Sequence, residues 1–186
     1  MARRIAHGAA VCAALAMPVA PIVAAQPHST LVDLVDATAR RLQVADSVAQ
    51  TKFHIGQPVK DPQREQQVID AATAEAATLG VDAAFVTTVF RDQIDASVGV
   101  QYARLSQWTL DPASAPPTAG DLASSRAILD AVNREMVTRL ADLRPALQSP
   151  LCPLELDRAE ATVVGARGLD PLYRQALAAA IRNYCH

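Results

Sequence analysis

Leu31, Leu34, Leu42, Ala45, Val48 and Ala49 recur at the spacing that defines one face of an α-helix. Plotted at about 100° per residue, they make an apolar stripe with two cations inside it, Arg41 and Lys52. Arg40 points the other way, with Asp36, Gln43, Ser47 and Gln50. A cation on a buried face needs an anion, because desolvating it alone costs several kcal/mol. The two cations are eleven residues apart, about three turns of one helix face. That placement points to an anionic ligand.

The same pattern continues along the chain. The first helix is expected to run to about His54, with Ser29 or Thr30 as N-cap, until Gly56 and Pro58 break it. A second helix opens at Asp61-Pro62, a cap residue followed by proline at the first helical position, and closes at Gly80. Its inner stripe is Val68, Ile69, Ala72, Ala76 and Leu79, and Asp61, Arg64 and Glu65 extend the same side backwards. A third helix, capped by Asp82 and reaching about Trp108, turns Val86, Phe90, Ile94, Leu105 and Trp108 inward, with Ser97 and Gln101 one turn apart in the middle of that face. The stretch LDPASAPPTAG then carries three prolines and no periodicity, as a loop does. A fourth helix from Asp121 to about Leu143 has Leu122, Leu129, Val132, Met136, Leu140 and Leu143 inside and Arg126 at the margin of that face. Pro145 and Pro150 follow it, then two shorter helices, Leu154 to about Val164 and Pro171 to Tyr184 with Asp170 as cap. No strand pattern holds, since β-branched clusters are short and alanine dominates. The fold class is therefore all-α, a single-chain bundle of about six helices, the first three long ones antiparallel.

Composition adds a destination. Residues 1–25 have the layout of a secretory signal: Arg3 and Arg4, an apolar run from Ala9 to Val23, then Val23-Ala24-Ala25 before Gln26. With it removed, residues 26–186 form one domain of 161 residues, fifteen basic and nineteen acidic, with a net charge of −4. Such a surface does not recruit nucleic acid, and no remaining stretch nears the roughly 20 apolar residues that span a bilayer. The mature chain keeps one even pair of cysteines, Cys152 and Cys185. A disulfide between them is expected in an oxidising compartment, stapling the C-terminal helical part.

Gathered together, the inward polar set is Arg41, Lys52, Asp61, Arg64, Glu65, Ser97, Gln101 and Arg126. It comes from four helices, as sites in bundle cores do, and its bias is cationic, so the fitting ligand is a small polyanion held by arginine forks. No nucleophile motif, phosphate-cradling glycine loop, nucleotide fingerprint or metal-ligand spacing is present, so neither a metal nor a cofactor is expected. Asp61 and Glu65 as a glycosidase dyad are disfavoured by Arg64 between them. Taken singly each residue has a plainer explanation: Arg41 snorkelling to solvent, Asp61 serving only as a cap, Ser97 bonding back to its helix.

As a set, the spacing resembles a family. Arg41, Lys52, then Asp61-x-x-Arg64-Glu65 in DPQREQQV, then Ser97 and Gln101, is similar to the all-helical chorismate mutases. The signal-like leader, the PASAPP loop and the Cys152/Cys185 pair resemble its secreted subclass, periplasmic or exported, as found in mycobacteria. The resemblance implies an isomerase without cofactor that converts chorismate to prephenate in the route to phenylalanine and tyrosine. It implies that Arg41, Arg64 and Arg126 bind the substrate carboxylates and that Lys52 and Gln101 face the ether oxygen of the breaking bond. Glu65 would accept from the substrate hydroxyl, Ser97 would line the carboxylate end, and Asp61 would support the hydroxyl side or the cations. It also implies that Arg126 fills, from the same chain, a place that cytoplasmic relatives fill from a partner, and that a homodimer would keep one site per chain. The alternative is an exported helical binding protein that captures a small carboxylate without turnover.

Overall fold

The structure is a computed structural model that describes residues 30–186; the expected export signal and the candidate cap Ser29 lie outside the described residues. The first helix, α1 (Leu31–Ile55), is started by Thr30, whose hydroxyl accepts from the Asp33 N–H while the Asp33 carboxylate accepts from the Thr30 N–H. It ends at Gly56, whose φ of 66° is open to glycine at no steric cost. Asp61 caps α2 (Pro62–Thr78), and Asp82 caps α3 (Ala83–Leu110). A 3₁₀ turn, Pro112–Ser114, lies in the proline-rich loop before Asp121 caps α4 (Leu122–Asp142). Three further helices follow: α5 (Arg144–Leu147), α6 (Cys152–Arg167) and α7 (Pro171–Ile181).

Side-chain pairs fix the directions. Arg41 meets Gln93, Asp46 meets Arg104 and Phe53 meets Trp108, so α1 and α3 run the same way. Arg40 meets Glu135 and Asp33 meets Arg139, so α4 runs against α1. Asp61 meets Arg126 and Arg64 meets Asp130, so α2 runs with α4 and therefore against α1 and α3. Successive long helices therefore alternate in direction, as expected. Around the bundle the order is α1, α3, α2, α4, with α1 packed on α3 and α4, and α2 packed on the same two helices. α6 and α7 cover the outer side of α1, and α7 also covers α3.

The core is built from Leu34, Val35, Leu42, Val86, Val89, Phe90, Met136, Leu140, Leu147 and Leu177, all fully buried. Tyr184 is the largest fully buried side chain. Its hydroxyl bonds with that of Thr38 and accepts from Gln93 Nε2, so burial leaves it satisfied. Cys152 and Cys185 form the expected disulfide. It joins the start of α6 to the chain end beyond α7.

Some boundaries and faces differ from expectation. α5 is a single extra turn whose Pro145 sits in its first turn, where no N–H is required. α6 begins at Cys152 rather than Leu154, again with a proline, Pro153, in the first turn. That start leaves Leu154 exposed and turns Cys152, Leu156, Ala159 and Val163 inward. Leu79, expected on the inner stripe of α2, is exposed because it lies at the C-cap, where the helical phase stops. Leu105 is only half-buried.

Candidate active site

Seven of the eight residues singled out from the sequence line one pocket of about 580 Å³ of open space between α1, α2, α3 and α4. They are Arg41, Lys52, Asp61, Arg64, Glu65, Ser97 and Arg126, with Val48, Val59, Val68, Ile94, Val98, Leu122 and Leu129 as the apolar wall. Gln101 does not line the pocket. It lies one turn beyond Ser97, buried, with its Nε2 donating to the Ser97 carbonyl at 3.3 Å and approaching Ser97 Oγ at 3.5 Å. Its Oε1 is buried without a hydrogen-bond partner.

The two cations on the α1 stripe are the deepest charges of the pocket. Arg41 is 4% exposed and Lys52 is 7% exposed. Arg41 Nε donates to Asn133 Oδ1 at 2.8 Å and its Nη1 donates to the Gln93 carbonyl at 3.0 Å. Lys52 Nζ donates to the Val59 carbonyl in the turn between α1 and α2. All three acceptors are neutral, and among the described residues neither cation forms an ion pair. Burial pushes the Arg41 guanidinium down to about 10, with Arg64 acting in the same sense. Burial also lowers Lys52, with Arg126 adding to the effect and Asp61 and Glu65 opposing it. Arg41 stays charged at neutral pH, and neither cation has a formal counter-charge.

The remaining charges are paired. Arg64 Nη2 donates to Asp130 Oδ1 at 2.5 Å. Arg126 Nη2 lies 3.4 Å from Asp61 Oδ2, while Asp61 Oδ1 accepts from the Arg64 N–H as the α2 cap. Asp61 thus caps a helix and orients a cation at once. Glu65 Oε2 accepts from Arg91 at 3.2 Å, whereas its Oε1 is buried and unpartnered. Across the pocket lining there are four cations and two carboxylates, a surplus of two positive charges. This arrangement can hold a dianion through guanidinium forks, accept one hydroxyl at Glu65, and aim an ammonium at a neutral oxygen that gains charge during a reaction.

Four partners of these cations were not singled out from the sequence: Val59, Gln93, Asp130 and Asn133. Asp130 and Asn133 share with Arg126 the i, i+4, i+7 face of α4. That face offered a signal, polar residues at helical spacing among Leu122, Leu129 and Met136. Gln93 binds through its backbone carbonyl, for which no side-chain pattern exists.

Comparisons with known proteins place the chain beside one family. Residues 32–102 match the family described as chorismate mutase type II. The chain is 50% identical over 173 residues to a secreted chorismate mutase of Mycolicibacterium smegmatis, spanning 93% of this chain and 96% of that protein. It is 41% identical over 165 residues to a secreted chorismate mutase of Mycobacterium tuberculosis, spanning 89% of this chain and 83% of that protein. Among solved structures, the chorismate mutase of Burkholderia phymatum superposes with a TM-score of 0.79 at 35% identity, covering 84% of this chain and 96% of the other.

Proposed function

The chain belongs to the chorismate mutase family, and on that premise we propose that the pocket between α1, α2, α3 and α4 is where it rearranges chorismate to prephenate. The reaction is intramolecular: one carbon–oxygen bond of the ether breaks and one carbon–carbon bond forms within the same molecule. No nucleophile and no net proton transfer is required. The protein has two tasks, to hold a flexible dianion in the reactive chair-like shape and to place positive charge where the ether oxygen becomes negative.

In this proposal Arg41 and Arg64, joined by Arg126, take the two carboxylates, and Ser97 lines that end. Lys52 donates to the ether oxygen. Gln101 joins it by giving up its long contacts to Ser97, the weaker of which is 3.5 Å. Glu65 offers its open Oε1 to the substrate hydroxyl. Asp61 keeps Arg126 turned toward the pocket. The observation that carries the reading is the state of Arg41 and Lys52, two buried cations held only by neutral acceptors. Such charges are costly unless a ligand completes them, and a dianion matches the surplus of two.

The test is the decay of chorismate's ultraviolet absorbance on addition of purified protein spanning residues 26–186. Decay far above the spontaneous rate, with prephenate as product, is expected. Binding of chorismate with no acceleration would replace the reading with that of a carboxylate-binding protein. The proposal extends to export, which the sequence of residues 1–25 favours and which agrees with the word secreted in the names of both mycobacterial relatives. N-terminal sequencing of the exported protein should begin at or near Gln26. Arg126 lines the pocket beside Arg41 and Arg64 of the same chain, which supports the expectation that a homodimer would keep one site per chain.

A further inference from the structure

The arginines of α1 and of the start of α2 are held in two different ways. Arg64 has the Asp130 carboxylate, and Arg40, on the outward side of α1, has Asp36 and Glu135. Arg41, the most buried of the three, has an amide oxygen and a backbone carbonyl. This inverts the usual rule, by which the more deeply a cation is buried the more it needs an anion beside it. The position that decides the matter is Asn133, which is itself 7% exposed and accepts from Arg41 Nε at 2.8 Å. An aspartate has nearly the same shape and accepts the same hydrogen bond more strongly.

We propose that Asn133 is a positioning residue for Arg41, and that the site requires it to be neutral: it fixes the direction of the guanidinium while leaving its charge free for a carboxylate of the substrate. The inference rests on the reading of Arg41 as a carboxylate clamp. The geometry gives each side of the guanidinium a task. Nε and Nη1 are taken by Asn133 and Gln93, which leaves Nη2 and the guanidinium charge available to the pocket that Arg41 lines. Gln93 is a firm anchor, because its carbonyl belongs to the backbone of α3 and its side chain is tied to the Ala180 carbonyl and the Tyr184 hydroxyl. One face of α4 thus serves the three arginines that line the pocket, with Arg126 itself, Asp130 on Arg64, and Asn133 on Arg41. The carboxylate goes to the more exposed cation and the amide to the buried one.

The experiment compares wild type, Asn133→Asp and Asn133→Ala by thermal unfolding and by chorismate kinetics. Asn133→Asp keeps the hydrogen bond and adds an ion pair, so a merely structural role predicts an unchanged Tm and an unchanged KM. Our expectation is an unchanged or higher Tm with KM raised at least about tenfold and kcat less affected, the mark of lost binding common to ground and transition states. Asn133→Ala keeps the charge but frees the guanidinium, and should raise KM about three- to tenfold. A KM within twofold of wild type in a folded Asn133→Asp protein overturns the proposal. If that variant does not fold, a KM within twofold of wild type for Asn133→Ala overturns it instead. If wild type binds chorismate without turnover, the same comparison is read in Kd, so the assigned activity fails while this inference is still judged. If wild type neither binds nor converts chorismate, both are overturned.

Discussion

Gly120 lies so close to Thr51 that a Cβ placed on it would stand 2.8 Å from the Thr51 hydroxyl and 3.3 Å from the Ser47 carbonyl. The contact is where the proline-rich loop is pressed onto the end of α1. Gln50 Nε2 donates to the Thr118 carbonyl at 2.6 Å, and His54 Nε2 donates to the Pro116 carbonyl at 2.8 Å. Both grips lie on the same stretch of α1 as Lys52, and the loop they hold leads directly into Arg126. Neither obstacle can swing aside, because the Thr51 hydroxyl is itself bonded to the Ser47 carbonyl and that carbonyl belongs to the helix backbone. Gly120→Ala should therefore push the loop outward. We expect a loss of about 1–3 kcal/mol of stability, as for an overpacked site, and a several-fold rise in KM as Arg126 moves off the pocket. Thermal unfolding and steady-state kinetics on one preparation check both, and an unchanged KM would detach the loop from the site.

Lys52 supplies the second prediction. If it stabilises charge on the ether oxygen, Lys52→Ala should lower kcat by about 10²–10³, the usual effect of removing one such donor. Its titration gives a sign as well. The ammonium must be protonated to act, and burial lowers its pKa below the ordinary lysine value of 10.5. Activity should thus fall as pH rises, with the midpoint of the kcat/KM limb below 10.5. A bound dianion favours the charged form, so the limb in kcat should lie at higher pH than the limb in kcat/KM. A limb in kcat/KM at or above the ordinary lysine value would contradict the assigned role.

Arg41 and Lys52 were legible in the sequence for one reason. They break an otherwise regular helical stripe, and α1 is long enough for phase errors not to hide it. Asp61, Arg64 and Glu65 followed from a helix start with two independent signals, the cap and the proline. Asn133 shares helical spacing with Arg126, but its role and that of Gln93 were not legible, because they depend on contacts 92 and 52 residues away in sequence. Tyr184 was expected within the last helix but stands beyond Ile181, in the turn after α7, where periodicity says nothing about burial. Leu79 failed for the converse reason, lying at the C-cap of α2, where the phase stops. Local pattern identifies which side of a helix turns inward, whereas the identity of the partner across the interface comes only from packing.

Gln101 gives a prediction about pH that wild type itself should not show. Its amide donates without a proton requirement, so it imposes no titration near neutrality. Gln101→Glu replaces the donor by a carboxylate that repels the charge building on the ether oxygen. The variant is active only when that carboxyl is protonated, and its buried position favours the neutral form. At neutral pH we expect a loss of about 10²-fold or more, by analogy with a missing oxyanion donor. The loss should shrink as pH falls, with log kcat/KM changing by close to one unit per pH unit above the pKa of the new carboxyl. A pH profile parallel to that of wild type would remove Gln101 from the reaction.

The disulfide separates stability from catalysis. Cys152 and Cys185 are 33 residues apart in sequence, and closing a loop of that size contributes about 3–4 kcal/mol in the chain-entropy model. Neither cysteine lines the pocket. Tyr184, beside Cys185, has its own hold on the core through the Thr38 hydroxyl and Gln93 Nε2. The double variant Cys152→Ser/Cys185→Ser should therefore unfold about 10 °C lower, yet keep kcat/KM within twofold at temperatures well below its transition. Reduction of wild type should give the same Tm shift and leave the double variant unaffected. If the variant is folded but slow, the disulfide acts on catalysis through Tyr184 and Gln93, whose carbonyl fixes Arg41. In that case KM should rise more than kcat falls, since the group displaced would be a carboxylate clamp.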